Sequence, residues 1–321
     1  MRTTFFRFAY SLVEYLKPVC LGLTVAGAVA GCSFLPKDEA PRPVAASPAP
    51  VPTAPAVVPK AAPRPPRIGL ALGGGAARGF AHIGVLQVLE EQGIKPDLVV
   101  GTSAGSLVAS LYAAGKTPTE LQSMAMTLDE SSITDWVFPG RSLLKGEALA
   151  RFIRTQTAGK QIENMRLPLG IVAADLESGA PILFRRGDPG TAVRASSAVP
   201  AVFEPVRING REYIDGGAVS PIPVRFARQM GAEVVIAVDI SAIPQGQPTK
   251  RAVDILLQTF NIMGHAISQH ELAEADVVMR PKLEGIGSAD FSSRRLSIMA
   301  GREAALMVLP QLKERIAART R

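Results

Sequence analysis

The sequence predicts an α/β protein of three layers, with helices covering both faces of a mostly parallel central sheet. Three observations carry that expectation. Short apolar runs ending in glycine alternate with segments whose apolar residues recur at helical spacing. A second strand follows the first helix almost at once, which is the pattern of a βαβ crossover. The chain has 321 residues, 47% hydrophobic and 20% charged, which suits one globular domain of about 250 residues with material left over.

Taken in order, "RIGLALGGG" (67–75) reads as a buried strand. "ARGFAHIGVLQVLEEQG" (77–93) places Phe80, Ile83, Leu86 and Leu89 on one helical face and closes on Gly93. "PDLVVG" (96–101) is the next strand and "SAGSLVASLYAAG" (103–115) the next helix, again closed by glycine. Further strands are expected at 167–176, 180–186, 211–217 and 232–240, and helices at 146–156, 223–231, 253–273 and 301–319. Sites in such a domain belong at the carboxyl ends of the strands.

The front of the chain differs in kind. Arg2, Arg7 and Lys17 precede "VCLGLTVAGAVA", an uncharged stretch too short to span a membrane but suited to a secretory signal. It ends in "VAGC", Val29–Cys32, which resembles the lipobox of bacterial lipoproteins. That resemblance implies a signal peptide over 1–31, cleavage before Cys32, and lipid on Cys32, whose acyl chains anchor the protein in a membrane. Ser33, where an inner-membrane lipoprotein often carries Asp, points to the outer membrane of a bacterial envelope, facing the periplasm. From Pro36 to Pro66 there are 11 prolines. Such a segment cannot bury a core, so 32–66 is expected to be an extended tether and 67–321 the folded domain.

Charge and cysteine usage exclude several function classes. The net charge is +7, but Met1–Arg67 holds eight Lys/Arg against three Asp/Glu, leaving +2 for the remainder. A nearly neutral domain argues against nucleic acid as a partner. The basic end "KERIAARTR" reads as a solvated helix face. Both cysteines, Cys20 and Cys32, precede the domain, and the three histidines are scattered, so no thiolate or zinc site is expected.

Three stretches carry chemistry. "GTSAGS" (101–106) puts Ser103 on a tight strand-to-helix turn, with Gly101 and Gly105 giving the neighbouring chain room and the helix N-terminus favouring negative charge. "GGGAARG" (73–79) lacks the spacing of a dinucleotide fingerprint, and Asp97 opens the second strand rather than closing it. The readings left are an oxyanion hole from the amides of Gly74, Gly75 and Ala76, with Arg78 adding positive charge, and a purely structural glycine turn. "YIDGG" (213–217) sets Asp215 at a strand end before Gly216 and Gly217. Burial would raise the pKa of that carboxylate and make it a competent base, although a D-G-G surface turn fits the same residues.

Together these stretches resemble the patatin-like phospholipase family in its short bacterial branch, across roughly Ile68 to Leu309. "GLALGGGAARGFAHIGVL" is similar to the family's glycine-rich oxyanion block, "GTSAGS" to its nucleophile elbow, "ASSAVPAVFEPV" (195–206) to the block before the acid, and "DGGAVSPIPV" (215–224) to the D-G-[GA] block. The resemblance implies a patatin-like fold, lipid acyl hydrolase activity on a lipid substrate such as a phospholipid or lysophospholipid, and a Ser103–Asp215 dyad without histidine. No metal or organic cofactor is expected. Ala76 departs from the glycine found in many relatives.

Two other readings remain at this point. An α/β-hydrolase triad would take Ser103, Asp239 and either His265 or His270. A non-catalytic envelope lipoprotein would keep the fold and need no competent serine. His82 reads as a packing or surface residue. Trp136, Val137 and Phe138 are expected in core packing, with an apolar rim for acyl chains as the alternative.

Overall fold

The computed structural model describes residues 64–136, 142–245, 249–287 and 290–321. The expectations for the signal segment 1–31, for Cys32, for the tether up to residue 63, and for Val137 and Phe138 lie outside the described residues.

Among the described residues eight strands form one sheet: β1 (Ile68–Leu72), β2 (Leu98–Thr102), β3 (Leu169–Asp175), β4 (Pro181–Phe184), β5 (Val206–Ile208), β6 (Arg211–Asp215), β7 (Val234–Val238) and β8 (Val277–Met279). β1 lies between β2 and β7, and the pairs β1–β2, β2–β3, β1–β7 and β7–β8 are parallel. β4 and β6 pair antiparallel with β3, and β5 with β6. Every residue of β1, β2, β3 and β7 is buried. Strands covered on both faces need such continuous apolar runs.

Alternation along the strands divides the core into two. Leu70, Leu72, Val99, Ile171, Ile236 and Val238 join the cluster built with α1 (Ala81–Glu91), α2 (Ala104–Ala113) and α8 (Arg294–Arg319). Ala71, Val100, Val172, Val235 and Ala237 join the cluster built with α6 (Val224–Gln229) and Leu272 of α7 (Ala252–Ala273). The three-layer expectation is thus met by the period-2 geometry of each strand. The remaining helices are α3 (Pro118–Thr127), α4 (Glu147–Gln156) and α5 (Pro189–Ser196).

The structure departs from the sequence reading in places with physical causes. α8 starts at Arg294, not at Gly301. Gly301 is a contact glycine: a methyl there would collide with the Ala81 carbonyl, as one on Gly84 would with the Ile298 carbonyl, so α1 and α8 cross at close range. Two unpredicted helices carry readable starts. Thr117 and Glu120 form a capping box ahead of α3 with Pro118 at its first position, and Asp188 caps α5 through the Thr191 amide. β5 and β8 have three residues each, too few to show a period. Trp136 is not packed in the core; it is 77% exposed.

Candidate active site

Ser103 stands between β2 and α2 with φ 52° and ψ −124°, a conformation costly for a residue with a Cβ. The flanking glycines make the turn feasible. A Cβ on Gly101 would run into the backbone of Gly105 and Ser106, and one on Gly105 into the carbonyls of Leu72 and Gly73. The strained turn is held from outside: the Ser103 amide donates to Ser196 Oγ at 2.8 Å, and Ser196 Oγ donates to the Val172 carbonyl at 2.5 Å.

Asp215 is the last residue of β6, and strand register brings it to the serine. On β3, Val172 faces Thr102 of β2, and the next residue, Ala173, faces Asp215 of β6. β4 occupies one edge of β3 over Ile171–Ala174, so β2 and β6 share the other edge. β2 runs parallel to β3 and β6 antiparallel, so their carboxyl ends meet. Two residues more than a hundred positions apart are thereby opposed.

The carboxylate is 2% exposed. Oδ1 accepts the Gly217 amide at 2.6 Å, while Oδ2 is buried and unbonded. The Ser103 hydroxyl favours ionisation of Asp215, yet among the described residues Oδ2 has no formed hydrogen bond. Burial dominates and pushes the Asp215 carboxyl up to about 6, against the weaker downward pull of Ser103 and the Gly217 amide. Gly216 lets the Val172 carbonyl approach, and Gly217 leaves space for both Oδ1 and the Phe260 ring.

The glycine-rich loop corrects one expectation. The Gly74 amide is already committed, donating to the Pro221 carbonyl at 3.0 Å, so it is not a free oxyanion donor. Gly74 instead packs on Ser103, where a Cβ would lie 3.2 Å from the serine Cβ. Among the described residues the Gly75 and Ala76 amides have no hydrogen-bond acceptor. A Cβ on Gly75 would fall 2.6 Å from the Ile240 carbonyl, and Ala76 has φ 52°. Arg78 is buried; its Nε donates to Gly75 O at 3.2 Å. Burial lowers its pKa and the charge of Asp239 opposes that. Its visible role is bracing the loop from which Gly75 and Ala76 offer their amides.

Sequence reasoning missed Ser196, which lies inside the quoted "ASSAVPAVFEPV" block but signals nothing by itself. It also missed Ala104, whose amide opens α2 beside Ser103 and has no helical acceptor of its own. The histidines are elsewhere engaged or uninvolved. His82 is buried, with Nε2 2.9 Å from Gly73 O; since a carbonyl only accepts, that nitrogen carries the proton. Burial lowers its pKa to about 4, so it is neutral and braces the end of β1. His265 and His270 lie within α7, and among the described residues neither hydrogen-bonds Ser103 or Asp239. Asp239 pairs instead with Arg280 at 3.2 Å.

An apolar hollow adjoins the carboxylate. Val199, Pro200, Leu256, Leu257, Phe260 and Met263, with Thr259, enclose about 90 Å³. It touches the Asp215 segment twice: the Asp215 amide donates to Ala198 O, just before Val199, and the Phe260 ring abuts Gly217.

Residues 70–228 match the family model for the patatin-like phospholipases. An uncharacterized NTE family protein of Mycobacterium tuberculosis is 34% identical over 206 residues, 63% of this chain and 57% of that protein. The human patatin-like phospholipase domain-containing protein 6 is 37% identical over 183 residues, 54% of this chain but 13% of that protein. The chain thus spans little more than half of the mycobacterial relative and a small part of the human one. Among solved structures, VipD from Legionella pneumophila superposes with a TM-score of 0.56 at 16% identity, over 77% of this chain and 67% of that one, a likeness of fold.

Proposed function

The chain belongs to the patatin-like phospholipase family, and on that premise we propose that it is a serine hydrolase of lipid acyl esters working through Ser103 and Asp215. One observation carries the reading: a buried, unbonded carboxylate oxygen with its pKa raised to about 6 beside a serine on a strained turn. A base poised near neutral pH is what proton abstraction from a serine requires.

In the first step Ser103 Oγ bonds to the ester carbonyl carbon while its proton passes to Asp215 Oδ2. The oxyanion that forms is met by the amides of Gly75 and Ala76, joined by that of Ala104. The intermediate collapses, the C–O bond to the alcohol breaks, and Asp215 returns the proton to the leaving oxygen. Water then gives a proton to Asp215 and attacks the acyl-enzyme, and Ser103 recovers its hydrogen as the fatty acid departs. Arg78 supports this by its bond to the loop and by a cationic charge that favours the anionic intermediate. The apolar hollow beside Asp215 supports an alkyl chain as the acyl group and agrees with phospholipid or lysophospholipid as substrate class.

The lipobox-like Val29–Cys32 supports, as a second part of the proposal, attachment to the bacterial envelope through lipidated Cys32, with the outer membrane as the destination. Mass spectrometry of the mature N-terminus and membrane fractionation of Cys32→Ala test it; a soluble, unlipidated wild type sinks it.

The experiment for the chemistry is a panel of phospholipids, lysophospholipids and simple esters assayed with wild type, Ser103→Ala and Asp215→Ala. Both substitutions should abolish turnover in folded protein, and a fluorophosphonate should label Ser103. No label and no turnover in wild type would favour the non-catalytic lipoprotein. His265→Ala and His270→Ala should each leave kcat unchanged; a large loss in either would restore the histidine triad.

A further inference from the structure

Between Asp215 and α6 the chain runs through Ser220, Pro221 and Ile222, and several parts of the site converge on this stretch. Thr102 Oγ1, one residue before the nucleophile, donates to Ser220 O at 2.8 Å. The Gly74 amide donates to Pro221 O at 3.0 Å. The elbow and the glycine-rich loop thus take their positions from two consecutive carbonyls. The stretch has little regular structure of its own, since the short 3-10 turn ends at Ala218 and α6 begins at Val224.

One acidic side chain grips it at two points. Glu271 of α7 accepts the Ser220 hydroxyl on Oε1 and the Ile222 amide on Oε2, the latter at 3.0 Å. The carboxylate is buried. Its charged neighbours are Arg225, with Nε at 3.7 Å from the α6 side, and Glu274 on its own helix. Burial raises the Glu271 carboxyl to about 7, against the pull of Ser220, Ile222 and Arg225. The half-exposed Arg225 pairs with it at long range, which only partly offsets the cost of burying the acid. α7 lies against the same stretch through Gly264, where a Cβ would be 3.7 Å from both Gly217 O and the Pro221 ring.

We propose that Glu271 is a positioning residue: by holding Ser220 and Ile222 it sets the carbonyls of Ser220 and Pro221, and through them the Ser103 elbow and the oxyanion loop. The inference rests on the Ser103–Asp215 reading for its catalytic consequence, but not for its structural one. Glu271 lies beyond residues 70–228, outside the matched family region. It touches none of the reacting atoms and acts through the 220–222 stretch.

The test compares wild type, Glu271→Ala and Glu271→Gln in p-nitrophenyl butyrate hydrolysis and in amide hydrogen exchange. Gln can accept the Ile222 amide on its oxygen and donate to Ser220 Oγ, which turns to receive it. Misplacing reacting groups by an ångström costs about 100-fold. Folded Glu271→Ala should therefore lose about 100-fold in kcat with KM within about threefold, whereas Glu271→Gln should stay within about fivefold. The Gly74 amide, remote in sequence but bonded to Pro221, should exchange faster in Glu271→Ala while β7 amides do not. Wild-type kcat in folded Glu271→Ala, or unaltered Gly74 exchange, overturns the proposal. Should Glu271→Ala not fold, Ser220→Ala removes one of the two grips and is read the same way. If wild type turns over no ester, the hydrolase reading fails, and Gly74 exchange alone decides whether Glu271 positions the loop.

Discussion

Replacing Asp215 by Asn should remove activity and, above about pH 6, make the protein more stable. Asn is nearly isosteric. Its Oδ1 keeps the 2.6 Å bond from the Gly217 amide, and its Nδ2 takes the place of the unbonded Oδ2, beside a serine oxygen able to accept. What it deletes is a buried charge. The Asp215 carboxyl titrates at about 6 in the fold against an ordinary 3.8. As pH rises between those values, the unfolded chain loses its proton before the folded one does, so this group's contribution to stability falls across that window. At 1.36 kcal/mol per pH unit the penalty is about 3 kcal/mol above pH 6 and vanishes below about pH 4. Urea unfolding of both proteins at a series of pH values isolates the term, because other titrating groups cancel in the difference. Asp215→Asn should exceed wild type by about 3 kcal/mol at pH 8, roughly 5–10 °C in Tm, and the two curves should converge near pH 4. A difference independent of pH, or an Asn variant less stable at pH 8, would show that the carboxylate is not carried as a buried base.

The same ionisation should shape catalysis: kcat/KM should fall tenfold per unit as pH drops below about 6, since only the carboxylate accepts the serine proton, and a flat profile down to pH 4.5 would contradict that. Ala76→Gly should raise stability by about 1 kcal/mol, because φ 52° strains a residue with a Cβ and not glycine; a thermal melt checks it. Met263→Asp, on the apolar hollow, should lower kcat/KM for long-chain esters more than for acetate, measured as the ratio across a chain-length series.

Much of the site was legible because its signals are local. The turn at Ser103 is announced by Gly101 and Gly105, and each proves necessary where the chain passes within contact of another backbone. β1, β2, β3 and β7 read as buried strands from unbroken apolar runs. Asp215 was legible as a strand-end acid, and as a candidate base only on the condition of burial, since the pKa of a carboxylate depends on what buries it. The glycine-rich loop shows the limit most clearly. Gly74 and Gly75 look alike in sequence, yet one amide is spent on Pro221 and the other has no acceptor among the described residues.

The order of the longer strands and of most helices, the two turns that display Ser103 and Asp215, and the absence of cysteine from residues 67–321 follow from residue type and spacing over a few positions. The meeting of the two functional groups does not. It depends on β2 and β6 abutting along one edge of β3, on Thr102 reaching a carbonyl 118 residues away, and on Glu271 reaching back 49 residues to Ile222. Periodicity and capping act over one or two turns of chain, whereas register and burial are set by partners that come together only when the whole sheet has formed.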